Sequence, residues 1–175
     1  MAGSNGKQKS ARDMILSLGL IVLAAMVIYL FIPHDDKEPD LKRVDYTVEL
    51  ATARRAASYP ISAPVGLPDT WKATSVRFRG DDADAWHLGF RSPDGQYVQV
   101  EQSASDKRDA FVDDATRGSK ATDVTDEIGG AKWTRWSGGR YDALVLNGAD
   151  GSTTVVAGTA SFDRLAEMAR ALRTS

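Results

Sequence analysis

The chain has 175 residues, enough for one domain of ordinary size plus an attached segment, because single domains most often run to about 100–150 residues. It contains no cysteine, which excludes disulfides, thiolate metal sites and a cysteine nucleophile. Its net charge of −2 and pI of about 5.7 lack the basic excess of nucleic-acid-binding domains, so we expect no nucleic-acid partner.

An uncharged apolar stretch occupies residues 14–32. In a helix, about 19 residues cross the roughly 30 Å hydrocarbon core of a bilayer. Lys7, Lys9 and Arg12 precede the stretch and a mainly acidic run follows it, so the positive-inside rule predicts a cytoplasmic N-terminus. We therefore predict a single-pass cell-membrane protein with a cytoplasmic tail (1–13), a transmembrane signal anchor (14–32), a stalk (33–43) and an extracytoplasmic domain (44–175).

Two other interpretations of this stretch remain open. A cleaved signal peptide has an apolar region of about 7–15 residues before a small-x-small site, whereas here Ala24 and Ala25 lie inside the stretch and large apolar residues follow them. A core helix of a soluble protein would show a polar stripe, which this stretch lacks. The sequence favours the anchor over both, and the absence of cysteine excludes lipoprotein processing.

The first elements of the domain are a helix and a strand. Residues 46–58 are alanine-rich and predict a helix that ends before Pro60. Residues 71–79 alternate as a half-buried strand does. This alternation places Thr74, Val76 and Phe78 on one face and Ala73, Ser75, Arg77 and Arg79 on the other.

A β-hairpin is predicted over residues 86–102. Ser92-Pro93-Asp94-Gly95 suits a three-residue loop with glycine in the left-handed conformation. That loop sets a register that separates apolar from polar side chains. The facing pairs are Trp86 with Gln102, Leu88 with Val100 and Phe90 with Val98 on one side, and His87 with Glu101 and Arg91 with Tyr97 on the other.

The remaining patterns complete an α+β fold: an antiparallel sheet with packed helices, one of them C-terminal, preceded by the transmembrane helix. Ser105 precedes a helix over 106–116 with Ala110, Phe111 and Ala115 inward. Gly138-Gly139 suits a two-residue hairpin loop that pairs Trp136 with Tyr141, Arg135 with Asp142 and Trp133 with Leu144. A strand over 153–158 precedes a helix after Ser161, with a stripe of Phe162, Leu165, Ala169 and Leu172.

Four segments carry a resemblance to a known family: VDYTVELATARRAASYPISAPVGLP, WHLGFRSPDGQYVQVEQS, WTRWSGG and GTASFDRLAEMARAL. The resemblance that they carry extends over nearly all of residues 44–173 and includes the anchor. The chain resembles a family of actinobacterial membrane-anchored proteins catalogued as a domain of unknown function, number four-two-four-five. The resemblance implies a location in the cell envelope and says nothing about substrate.

The sequence contains no motif of a known catalytic or metal site, and we predict no cofactor. Its histidines, His34 and His87, fall in the stalk and in a strand. The carboxylates of Asp81, Asp82 and Asp84 could bind calcium, but a solvated acidic turn is favoured because the glycine and distal glutamate of an EF-hand loop are missing.

Two further groups of side chains have a chemical and a structural interpretation. The carboxylates of Asp109, Asp113 and Asp114 could act as an acid–base pair, but they are better explained as the exposed face of a helix. Tryptophans could stack on carbohydrate, but core packing is favoured for three of them, since each shares a strand face with apolar residues. Those three are Trp71, Trp86 and Trp133.

We therefore expect a non-enzymatic extracytoplasmic module that binds an envelope ligand or a protein partner. The alternatives are an envelope hydrolase that uses two carboxylates and a structural partner that acts through the anchor helix. The candidate binding surface is the polar face of the hairpin, where Gly89 predicts a shallow hollow, although such a face can also be merely solvated. Its candidate residues are Arg77, His87, Arg91, Tyr97, Gln99 and Glu101, with Arg79 at the edge.

Overall fold

The computed structural model describes residues 5–31 and 43–174, and the side chains of 11–30 and 43–174. The chain divides after Asp40 into two compact units. The first contains helix α1, Asn5–Phe31. Within α1, Ala11–Leu30 has a mean hydropathy of 2.3 and is long and apolar enough to span a membrane. The predicted apolar helix is thus confirmed, while most of the predicted stalk lies outside the described residues.

The second unit contains a seven-stranded antiparallel sheet and three helices, which confirms the α+β fold. The strand order is β2-β3-β4-β8-β7-β6-β5, and β1 and β9 form a separate two-stranded sheet. In chain order the elements are α2 (Thr47–Ala56), β1 (Ala63–Pro64), β2 (Lys72–Arg79), β3 (Ala85–Arg91), β4 (Tyr97–Ser103), α3 (Arg108–Thr116), β5 (Lys120–Ile128), β6 (Ala131–Ser137), β7 (Asp142–Asn147), β8 (Thr153–Gly158), α4 (Phe162–Ala171) and β9 (Leu172–Arg173).

The β3–β4 hairpin has the predicted register at every predicted pair, including His87 with Glu101. Its loop also has the predicted length, because the Ser92 N–H donates to the Gln96 carbonyl and encloses a loop of residues 93–95, within which the Gly95 N–H donates to the Ser92 carbonyl. Gly95 adopts φ of 78°, the left-handed conformation that glycine adopts without strain. The local turn chemistry therefore determines which side chains of β3 and β4 share a face.

Strand β2 differs from the predicted alternation because it contains a β-bulge. Ala73 pairs with Phe90, and the register then shifts before Ser75 pairs with Gly89. One extra residue in a strand moves later side chains to the opposite face. Consequently Ala73 is buried in the core, whereas the Thr74 hydroxyl lies over Gly89 on the polar side. The prediction for these two residues was wrong.

The predicted β6–β7 register was also wrong, by two residues. Trp136 pairs with Ala143, and the loop is longer than two residues. The loop backbone is hydrogen-bonded to the end of α3 and the segment after it: the Tyr141 N–H donates to the Thr116 carbonyl, and the Gly139 N–H to the Ser119 hydroxyl. A Cβ on Gly139 would lie 2.3 Å from the Ser119 nitrogen. These long-range bonds replace the pairs that a tight hairpin would make.

Two apolar cores lie on opposite faces of the sheet. Helices α2 and α4 cover the larger one, which contains Trp71, Trp86 and Trp133, exposed by only 1%, 0% and 3%. This confirms that these tryptophans pack in the core. Helix α3 covers a smaller core over β7 and β8 through Val112 and Ala115, while Ala110, predicted to point inward, is exposed. The α3 side of β2, β3 and β4 is therefore left partly uncovered.

Candidate functional site

A cleft of about 530 Å³ lies where the polar sides of β2, β3 and β4 meet α3. The sheet forms its floor, and helix α3 with the residues that flank it forms one wall. Six of the seven residues named from the sequence line the cleft: Arg77, Arg79, His87, Tyr97, Gln99 and Glu101. Residues from the α3 wall, which the sequence did not predict as part of the site, include Lys107, Phe111, Asp114 and Arg117.

The predicted His87–Glu101 pair forms in the cleft. Nδ1 of His87 lies 2.6 Å from Oε1 of Glu101, and the two side chains are only 14% and 18% exposed. On the other side of the ring, Nε2 lies 2.8 Å from the Ser75 hydroxyl. The imidazole is thus held between a carboxylate and a hydroxyl from two different strands, which fixes its orientation.

Tyr97 and Gln99 connect the sheet to α3. The Tyr97 hydroxyl donates to the Gln99 side-chain oxygen at 3.0 Å, and the Gln99 amide donates to the Ala115 carbonyl at 2.8 Å. Burial, assisted by the nearby Glu101 carboxylate, raises the pKa of Tyr97 to about 12, so its hydroxyl remains a hydrogen-bond donor at neutral pH. The polar groups of Gln99 are therefore largely engaged within the protein.

Two details differ from the predicted site. The space above Gly89 is filled, because a Cβ there would lie 2.3 Å from the Ser75 hydroxyl, with the Thr74 and Tyr97 hydroxyls close by. The hollow lies instead between Glu101 and α3. Arg91 is not among the cleft residues, and its guanidinium lies against the loop at Gly95.

The charges around the cleft fall into two groups. Arg79 pairs with Asp82 at 2.8 Å, and Arg117 pairs with Asp114 at 3.2 Å. Arg77 and Lys107 also border the cleft, and within residues 43–174 neither side chain has an ion-pair or hydrogen-bond partner. Two cations are therefore available to an anionic group that enters the cleft.

The remaining aspartates that the sequence suggested as calcium ligands or as acid–base groups form neither kind of site. The Asp84 carboxylate accepts hydrogen bonds from the backbone and hydroxyl of Ser58, so it fixes a turn. Asp109 and Asp113 are exposed on α3, and Asp113 pairs with Lys120 at 3.0 Å. Across the part of the chain that is described, no group of three or more histidine and carboxylate side chains is placed to hold a metal ion.

Comparison with known proteins identifies the family of the chain. No curated protein and no solved structure is significantly similar to it. A model of the family described as protein of unknown function DUF4245 matches residues 7–172, which includes most of α1 and nearly all of the sheet domain. This confirms the resemblance drawn from the sequence segments, while the actinobacterial source stays a prediction. The chain therefore belongs to the DUF4245 family of proteins of unknown function.

Proposed function

We propose that this protein is anchored in the cell membrane by α1 and binds an anionic ligand of the cell envelope in the cleft of its extracytoplasmic domain. The proposal is carried by Arg77 and Lys107, two cations at a cleft of about 530 Å³ whose side chains have no partner among residues 43–174. Such a volume suits a small molecule, since ligand sites commonly enclose about 300–1,000 Å³.

The anchor and the orientation rest on α1 and its flanking charges. Ala11–Leu30 has the length and hydropathy of a membrane span. Basic residues come before the apolar stretch, and acidic residues predominate over 34–40. Because basic residues are retained on the cytoplasmic side, this asymmetry supports an exported sheet domain.

The orientation can be tested on cells stripped of their wall. We expect added protease to remove a tag fused after Ser175 and to spare a tag fused before Met1, because the charge asymmetry keeps the N-terminus inside. The measurement is an immunoblot for both tags, with detergent-lysed cells as the control in which both are degraded. Protection of the C-terminal tag in intact cells would show that the orientation is wrong.

The charge at the cleft favours an anionic ligand. Hydrogen bonds to charged groups contribute about 1.5–3 kcal/mol each, and 1.4 kcal/mol corresponds to a tenfold change in affinity. An anion that contacts both Arg77 and Lys107 would gain two such bonds, enough for a specific site. The cleft also has an aromatic side, since the Tyr97 and Tyr141 ring centres lie 5.9 Å apart.

We expect the full-length protein in detergent to bind pyrophosphate, used as a small anionic probe, and the double variant Arg77→Ala/Lys107→Ala to bind it at least about tenfold more weakly. Isothermal titration calorimetry at low and high salt measures both. The matched control is Arg55→Ala/Lys132→Ala, which removes two exposed cations away from the cleft. Equal losses in both double variants, or no binding by the unmodified protein, would contradict a cleft site.

A further inference from the structure

Three side chains form a row across the first strands of the sheet. Ser75 on β2 lies 2.8 Å from Nε2 of His87 on β3, and Nδ1 of His87 lies 2.6 Å from Glu101 on β4. A hydroxyl, an imidazole and a carboxylate in this order, each within about 2.6–3.2 Å of the next, are the parts of an activated serine nucleophile. The roles in such a triad depend on geometry and not on the order of the residues along the chain.

The fold supplies this geometry through two backbone features. The bulge after Ala73 places Ser75 opposite Gly89, diagonally beside His87. The missing side chain of Gly89 leaves room for the Ser75 hydroxyl, which would lie 2.3 Å from a Cβ at that position. Glycine is therefore required here for the serine to reach the imidazole. Ser75 is only partly buried, and its neighbours Arg77, His87 and Tyr97 line the cleft.

The hydrogen bonds also select the tautomer that a general base needs. When Nδ1 carries the proton donated to Glu101, Nε2 has a lone pair that accepts the proton of the Ser75 hydroxyl. Because the His87 and Glu101 side chains are mostly shielded from solvent, water competes little for these bonds. The Tyr97 hydroxyl lies beside the same space over Gly89, with its proton donated to the Gln99 side-chain oxygen.

We propose that Ser75 is a nucleophile that takes an acyl group from carboxylic esters, with His87 as general base and Glu101 as a positioning residue. The Ser75 oxygen forms a bond to the carbonyl carbon as its proton passes to Nε2 of His87. The carbon–oxygen bond to the alcohol then breaks, and the leaving oxygen takes that proton. Water, activated by His87 in the same way, cleaves the acyl-serine and releases the acid.

The preference for a particular ester rests on the proposed function, whereas the reactivity of Ser75 does not. If Arg77 and Lys107 bind an anion, the favoured substrates are esters that carry an anionic group. That the domain is not an enzyme stays a prediction, and esterase activity at Ser75 would contradict it.

The test uses the full-length protein in detergent and an uncharged fluorophosphonate probe, which forms an oxygen–phosphorus bond with loss of fluoride. We expect mass spectrometry to locate the label on Ser75 and Ser75→Ala to abolish it. His87→Gln should slow labelling about 100-fold or more, the usual contribution of a general base. Hydrolysis of p-nitrophenyl acetate should fall in the same variants.

Three further variants and a matched control test whether a loss of labelling is chemical or structural. Gly89→Ala should slow labelling, because its Cβ displaces the Ser75 hydroxyl from His87. Glu101→Gln should slow it, and Glu101→Asp should recover part of the rate. Ser161→Ala is the matched control, since this exposed serine makes no side-chain cap bond at α4 and its loss should leave labelling unchanged.

Circular dichroism would establish that each variant is folded. A folded unmodified protein without label on Ser75 would overturn the inference, as would equal labelling rates in folded His87→Gln. Anion binding is measured separately, by pyrophosphate titration. If Ser75→Ala binds pyrophosphate as the unmodified protein does, the proposed function holds whatever the labelling result. If labelling succeeds while pyrophosphate does not bind, only the proposed anion site fails.

Discussion

Trp86→Ala is expected to lower the free energy of unfolding of the sheet domain by about 3–5 kcal/mol, the range for removal of a large buried aromatic side chain. Trp86 is 0% exposed in the larger core, so its loss leaves a cavity between strands and helices. Its ring nitrogen also donates to the Ser62 carbonyl at 3.0 Å, and the substitution leaves that buried acceptor without its partner. Pulse proteolysis of the full-length protein across a urea series measures the change.

Trp133 offers a matched control for the hydrogen bond. It is 3% exposed, but its ring nitrogen has no hydrogen-bond partner within the described part of the chain. Trp86→Phe should therefore cost more than Trp133→Phe, by roughly the 1–3 kcal/mol of an unsatisfied buried group. Equal losses in the two phenylalanine variants would show that the Trp86 hydrogen bond does not stabilise the core.

Gly95→Val is expected to destabilise the domain by about 1–3 kcal/mol, because a β-branched residue at φ of 78° is strained. Its Cβ would also lie 3.1 Å from the Arg91 guanidinium, although that side chain can move. The loop closes the β3–β4 hairpin, so the strain acts on the strands that carry His87 and Glu101. The same proteolysis assay applies, with the p-nitrophenyl acetate rate as a second readout.

Two variants test the cause of this loss. Gly95→Asn should be much milder, since asparagine adopts the left-handed conformation more readily than other non-glycine residues. Asp94→Ala should also matter less than Gly95→Val: the carboxylate accepts from the Ser92 hydroxyl at 2.7 Å, but that hydroxyl has another acceptor in the Gln96 carbonyl. If valine is tolerated as well as asparagine, the positive φ at Gly95 is not a constraint on the fold.

The accuracy of the sequence predictions follows the range of the interactions involved. The β3–β4 register depends on a loop and an alternation within one short segment, and it was predicted at every pair. The β6–β7 register depends on bonds from its loop to residues around Ser119, and it was wrong. Strand β5 was missed because an exposed edge strand buries little, so its residues show no apolar alternation.

The candidate site divides in the same way. His87 and Glu101 were paired from the hairpin register alone, and the structure joins them at 2.6 Å. Ser75 was placed on the correct face, but its approach to His87 requires the bulge in β2 and the β2–β3 pairing. The α3 wall was not predicted, because the position of a helix over a sheet depends on the whole core.

The sequence by itself determined the apolar helix, the α+β class, the buried tryptophans and the hairpin that pairs His87 with Glu101, because periodicity, composition and turn residues act over short distances along the chain. Only the tertiary structure decided that Ser75 completes the row, that the space over Gly89 is filled and that Lys107 borders the cleft. These features depend on contacts between segments far apart in sequence, where a bulge or a docked loop changes which atoms meet.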